Sequence, residues 1–242
     1  MEISIILTLI IISFAFFGES LFGFGGGLIA IPLLSLILGV KDAVTLVLVF
    51  QFLMGILIFK NYKFIDWKVA KPMTYMLVVG VIAGTLLLSG LDIAFLQIFL
   101  AIVIILFLIK SEFFGAITLG KGRNALYASI AGLGGGFLQG LIGAGGPVLT
   151  MYTSASIEKK IFIRGTLIYL FFIPNIVRMA ISAPQQLFTS QIIQLSLLAL
   201  PFFALAIYFG QITHHRINEK YYRLSINIVL GFSALALLIK AL

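Results

Sequence analysis

No cysteine occurs in the 242 residues, which excludes a disulfide framework, a thiolate metal site and a redox motif. Charge is scarce as well: 10% of the residues are Asp, Glu, Lys or Arg, against about 25% in soluble domains. The two histidines, His214 and His215, are adjacent in a basic loop, with no carboxylates at ligand spacing and no H-E-x-x-H pattern. No metal site is expected there. With no nucleophile–base pair in an apolar stretch, an intramembrane enzyme is not expected, and no cofactor is implied. No P-loop is found, so any ATP drive would have to come from a separate protein. The net charge of +8 does not point to nucleic acid, because the basic residues are spread between apolar stretches.

What the chain does have is apolar length. Hydrophobic residues make up 62%, with a mean hydropathy of +1.21. A helix needs about 20 residues to cross a bilayer. The pattern gives segments at 3–39 (broken), 43–60, 69–89, 92–110, 124–156 (broken), 161–182, 189–212 and 219–241. The expected class is an all-α polytopic membrane protein. The first segment opens on Glu2 and lacks the basic n-region and small-residue cleavage site of a signal peptide, so it is expected to remain.

Two glycine patches break these runs: Gly23-Phe24-Gly25-Gly26-Gly27 and Gly143-Ala144-Gly145-Gly146-Pro147. Non-helical backbone at membrane depth is tolerated only where protein or a watery cavity surrounds it. Paired breaks at matching positions are a pointer to a transporter's binding site. A dinucleotide or phosphate-loop reading fails because no strand precedes either patch.

Charge then tests the topology. If every segment crosses once, the basic residues divide almost evenly between the two faces, against the positive-inside tendency. If each broken segment turns back at its glycines, all 16 Lys and Arg except Lys41, Arg178 and Lys240 lie on one face. That basic face is expected to be cytoplasmic, with both termini outside, in the cell inner membrane. The two halves, 1–110 and 124–242, joined by a linker at 111–123, then have inverted topology. Each consists of a glycine-tipped broken helix or hairpin plus three transmembrane helices.

A shift of the halves supports a repeat: Gly23 meets Gly143, and Glu19 meets Gln139. Thr45 meets Thr166 one position later, and Asp92 to Phe95 matches Asn218 to Tyr221.

The pairing of G-x-G-G-G near the N-terminus with G-x-G-G-P after the middle resembles the TauE/SafE family of sulfite exporters. The likeness extends over essentially the whole chain, with its Thr-bearing segments and basic central linker. It implies export of a small anion from sulfur metabolism, such as sulfite or an organosulfonate. Transport of that anion by a secondary transporter, with the anion held between the two breaks, is the leading expectation. A passive anion channel or an importer of a related oxyanion would use the same breaks, whereas a structural subunit would not need them. The partners expected are the anion and the lipid bilayer, with a homodimer left open.

The candidate binding residues are Gly23, Phe24, Gly25, Gly26, Gly27, Gly143, Ala144, Gly145, Gly146 and Pro147 of the patches, with Gln51, Gln139, Asn175 and Arg178. The glycines permit positive φ and close approach, and helices starting near Leu28 and Val148 would aim amides and dipole at an anion. Pro147 suits a first helical turn. Alternatively, the glycines serve helix packing alone. Gln51 lies among Leu, Val and Phe, either donating to the anion or bonding a neighbouring helix. Asn175 and Arg178 share a helix face. Arg178 could grip an oxyanion with two parallel bonds, or snorkel to the interface. Pro174 is expected to kink that helix. Glu19 is the candidate for proton coupling, or else a carboxylate held by nearby N–H groups.

Overall fold

A computed structural model describes residues 2–22, 25–58, 64–113, 124–213 and 219–241. The described residues form ten α-helices and no strand: α1 (Glu2–Phe22), α2 (Gly26–Leu38), α3 (Val40–Ile58), α4 (Trp67–Gly90), α5 (Ile93–Phe113), α6 (Ala125–Ile142), α7 (Gly146–Ser156), α8 (Lys160–Ser182), α9 (Ser190–Thr213) and α10 (Glu219–Ala241). Six of them, α1, α3, α4, α6, α8 and α9, are long and apolar enough to cross a bilayer. The chain is therefore an all-α polytopic membrane protein. The two broken segments are the pairs α1–α2 and α6–α7. Their second arms, of 13 and 11 residues, would reach about 20 and 17 Å as helix, short of a crossing. Helix α8 runs unbroken through Pro174. Lys60, Lys63, Lys121, Arg123, Arg216, His214 and His215 lie outside the described residues.

The chain divides into two units, each drawing segments from both sides of 114–123. The first comprises 1–47, 91–113 and 187–242. In it α1 packs on α9, α2 on α1 and α10, and α10 on α5. Phe16 and Phe203 meet edge-to-face at 5.0 Å between centroids, and the Ser20 hydroxyl donates to the Ile207 carbonyl at 3.0 Å. The α2 and α10 C-termini share one end, where Lys240 Nζ donates to the Leu36 carbonyl at 3.0 Å. Lys41 follows three residues after Leu38, so two of the three basic residues set apart by the charge argument lie at that end.

The second unit comprises 48–90 and 114–186. Its centre is a pair of parallel helices, α4 and α6, in backbone contact. A Cβ added at Gly132, Gly136 or Gly140 would collide with the carbonyl of Met73, Leu77 or Val81, respectively. One added at Gly80 or Gly84 would meet the carbonyl of Leu133 or Phe137. Lipid tails give no hydrophobic drive for association between helices, so close approach through small residues and the dispersion contacts it allows take that role. The Thr85 hydroxyl adds a bond to the Gly140 carbonyl at 3.4 Å.

Helix α7 runs back along α6. Leu149 packs over Gly135, and the Tyr152 hydroxyl donates to the Asn124 carbonyl at 2.8 Å, at the far end of α6 from the break. The second broken segment is thus a hairpin, as the charge argument requires. The start of α4 meets the start of α8 at the same end: Thr166 Oγ1 accepts from the Asp66 N–H at 2.9 Å, and the rings of Trp67 and Tyr169 lie 5.2 Å apart. The exposed Lys68, Lys71, Lys159 and Arg164 therefore share one end of this unit. Single crossings throughout would have put Lys68 and Lys71 opposite Lys159 and Arg164.

Candidate functional site

The second break is built from backbone that only glycine adopts readily. Gly143 lies in the left-handed region (φ 65°, ψ 16°), closing α6, with its N–H donated to Gln139 O at 3.0 Å and the Ala144 N–H to Leu138 O at 3.3 Å. Those bonds satisfy carbonyls that no water could reach at membrane depth. Gly145 then precedes α7, with Pro147 in the first turn, where a missing N–H costs nothing. A Cβ on Gly145 would strike the Gly135 carbonyl and Gln139, so this position is glycine for space.

Around this turn the structure assembles the four polar residues singled out on three different segments. Gln139 is the hub. Its Oε1 accepts from the Gly145 N–H at 3.0 Å, and its Nε2 donates to Asn175 Oδ1 at 3.2 Å and Gln51 Oε1 at 3.3 Å. Gln51 Oε1 accepts a second bond, from Arg178 Nη1 at 3.2 Å. Asn175 and Arg178, one turn apart on α8, are 2% and 1% exposed.

Arg178 decides what the site can do chemically. It is the only Lys or Arg among the described buried residues, and it does not reach for a surface. Its Nε and Nη2 are buried without a partner. These two nitrogens lie on the same edge of the guanidinium, the edge that makes two parallel bonds to an oxyanion. The acidic residues of this unit are Asp66 and Glu158, both in connections between helices, and neither pairs with Arg178. An uncompensated buried charge costs several kcal/mol, and the two unpartnered N–H donors are of the kind that an oxyanion accepts from.

One expectation is altered. The Gly145 amide at the tip is not free for an anion, because the Gln139 side chain already takes it.

The first break lies in the first unit. Gly23 and Phe24 fall outside the described residues. Gly25 is left-handed (φ 105°) and precedes α2, and Gly26 and Gly27 are buried. The Gly26 N–H bonds the Glu19 carboxylate, while Glu19 Oε2 is buried without a partner. Glu19 and Gln139 thus do the same job, each turning a side-chain oxygen to an amide of the second arm of its break. Thr45 bonds back to the Lys41 carbonyl at 2.8 Å, a local packing role.

The model of the family described as sulfite exporter TauE/SafE matches residues 8–237. The chain belongs to this family. No curated protein and no solved structure matches it. Membership in TauE/SafE makes the chain a multi-pass membrane transporter of the exporter type for small sulfur-containing anions. The match spans both breaks and all four cluster residues.

Two groups of residues escaped the sequence reading. The glycines of α4 and α6 recur every four residues, a spacing that marks a close helix pair. Thr150 and Ser156 on α7 bury hydroxyl oxygens without partners, and nothing in their immediate sequence distinguishes them.

Proposed function

We propose that the chain is a secondary transporter that exports a small sulfur-containing anion, sulfite or an organosulfonate, across the cytoplasmic membrane, holding it on the free edge of Arg178. The observation that carries this reading is a buried guanidinium with two aligned donors unpartnered and, among the described residues, no carboxylate bonded to it. Gln51, Gln139 and Asn175 form the neutral frame that fixes its direction. In this reading the end bearing Lys68, Lys71, Lys159 and Arg164 faces the cytoplasm.

The halves are inverted repeats in the same reading. Helices α1 and α6 correspond, as do α9 and α4, and the pairs α1–α9 and α6–α4 both pack together. Glu19, at the counterpart of Gln139, carries the coupling proton on its unpartnered oxygen.

Reconstitution into liposomes tests both roles. Wild-type protein should show saturable flux of a labelled organosulfonate or sulfite, accelerated by a proton gradient. Arg178→Gln should abolish the flux, and Glu19→Gln should remove the effect of the gradient while leaving exchange intact. Flux that never saturates, or that survives Arg178→Gln, overturns the reading.

A further inference from the structure

We infer that the exposed stripe Trp67, Lys71 and Tyr75 on α4, with Lys68 and Tyr169 beside it, is a binding site for the headgroup of an anionic phospholipid. The site lies on the lipid boundary of the second unit and is independent of the transported anion.

The stripe is one face of one helix. Residues 67, 71 and 75 follow at intervals of four and Lys68 lies three before Lys71, so the four share about 12 Å of α4 surface. All are exposed, Trp67 by 46% and Tyr75 by 72%, while Val69, Ala70, Met73 and Leu77 are buried. Helical side chains lean towards the helix N-terminus, which in α4 is the basic end. Lys71 and Tyr75 therefore lean out of the hydrocarbon towards the headgroups.

Charge selects the ligand. No ion pair joins Lys68 or Lys71 to another described residue. The Asp66 carboxylate is turned to its own helix, where Oδ1 accepts the Lys68 backbone N–H at 3.1 Å as an N-terminal cap. A phosphate diester offers one negative charge and acceptor oxygens to the two ammonium groups. A zwitterionic headgroup carries its own cation over the phosphate and gains less from them.

The rings set the depth. Trp67 and Tyr169 meet edge-to-face at 5.2 Å between centroids, and amphipathic rings of this kind settle at the membrane interface. The Tyr75 hydroxyl makes no hydrogen bond to another described residue, and a glycerol ester carbonyl just below the phosphate is an acceptor for it.

The surface is also prebuilt. A Cβ on Gly165 would strike the Phe64 carbonyl, Thr166 Oγ1 holds the Asp66 N–H at 2.9 Å, and the rings of Phe64 and Phe162 meet at 6.2 Å. The starts of α4 and α8 thus form one fixed shelf, and little protein has to be ordered when a lipid binds.

Trp67 is the chain's only tryptophan, so its fluorescence reads this site alone. The test places the full chain in phosphatidylcholine bilayers in which a minor fraction of the lipid bears bromine, a contact quencher, on its acyl chains. The brominated lipid is either phosphatidylglycerol or phosphatidylcholine. The expected relative binding constant at Trp67 favours phosphatidylglycerol by at least about fivefold, the effect of one basic residue near an anionic surface. Lys68→Gln combined with Lys71→Gln should bring that ratio close to one. Arg164→Gln removes a charge at the same end of the unit, but two residues from both Phe162 and Thr166 and so on the opposite side of α8. It should leave the ratio unchanged. Equal quenching by the two brominated lipids overturns the proposal. An equal loss of preference in Arg164→Gln also overturns it, by marking a diffuse basic surface, and quenching by neither lipid does so by showing that protein covers the stripe.

Discussion

Arg178 donates through Nη1 to Gln51 Oε1 at 3.2 Å, and among the described residues this is the bond that holds its guanidinium. The same oxygen serves Gln139. Gln51→Leu therefore strands donors on two residues at once. The expected outcome is a loss of about 1–3 kcal/mol in stability, measured as a lower melting temperature in detergent. Gln51→Glu should instead place a carboxylate beside Arg178, lowering anion affinity by at least tenfold while leaving melting close to wild type.

Arg178→Lys separates charge from shape. Lysine keeps the charge but loses the planar fork. Flux in proteoliposomes should fall on the order of tenfold, the cost of about one strong hydrogen bond. Equal flux would show that the site needs charge alone.

The second glycine patch should respond unevenly to added methyl groups. Gly145→Ala drives a Cβ into the Gly135 carbonyl and Gln139, whereas at Gly146 the nearest atom to an added Cβ is Phe171 Cζ at 3.6 Å, an ordinary contact. Gly146→Ala should melt and transport like wild type, and Gly145→Ala should do neither. Gly143→Ala lies between them, with about 1–2 kcal/mol of left-handed strain.

The glycine seam between α4 and α6 should be intolerant along its whole length. Gly136→Leu or Gly140→Leu should prevent accumulation of folded protein, measured by size-exclusion elution from detergent. Gly134→Ala, where an added Cβ meets nothing within 4 Å, serves as the control and should elute as wild type.

Much of the fold is written in hydropathy. The eight apolar segments, the two breaks and the short second arms follow from run length and glycine placement alone, because lipid allows backbone no alternative to internal hydrogen bonds. Gln51, Gln139, Asn175 and Arg178 stand out because polar groups at membrane depth are costly and are kept for a purpose. Which helix lies beside which was not legible, since a helix apolar on every side gives no facing pattern. The capture of the Gly145 amide by Gln139 was not legible either. It depends on a six-residue turn whose closure is set by the left-handed Gly143 and the contact of Gly145 with Gly135.

The seam joins α4, which precedes residues 114–123, to α6, which follows them, and in the first unit α1 is likewise matched with the distant α9. During synthesis, then, the early half enters the bilayer with its most closely fitted surfaces still waiting for mates not yet made. A gene split within 114–123 should give two polypeptides that are each degraded when made alone and that restore transport only when made together.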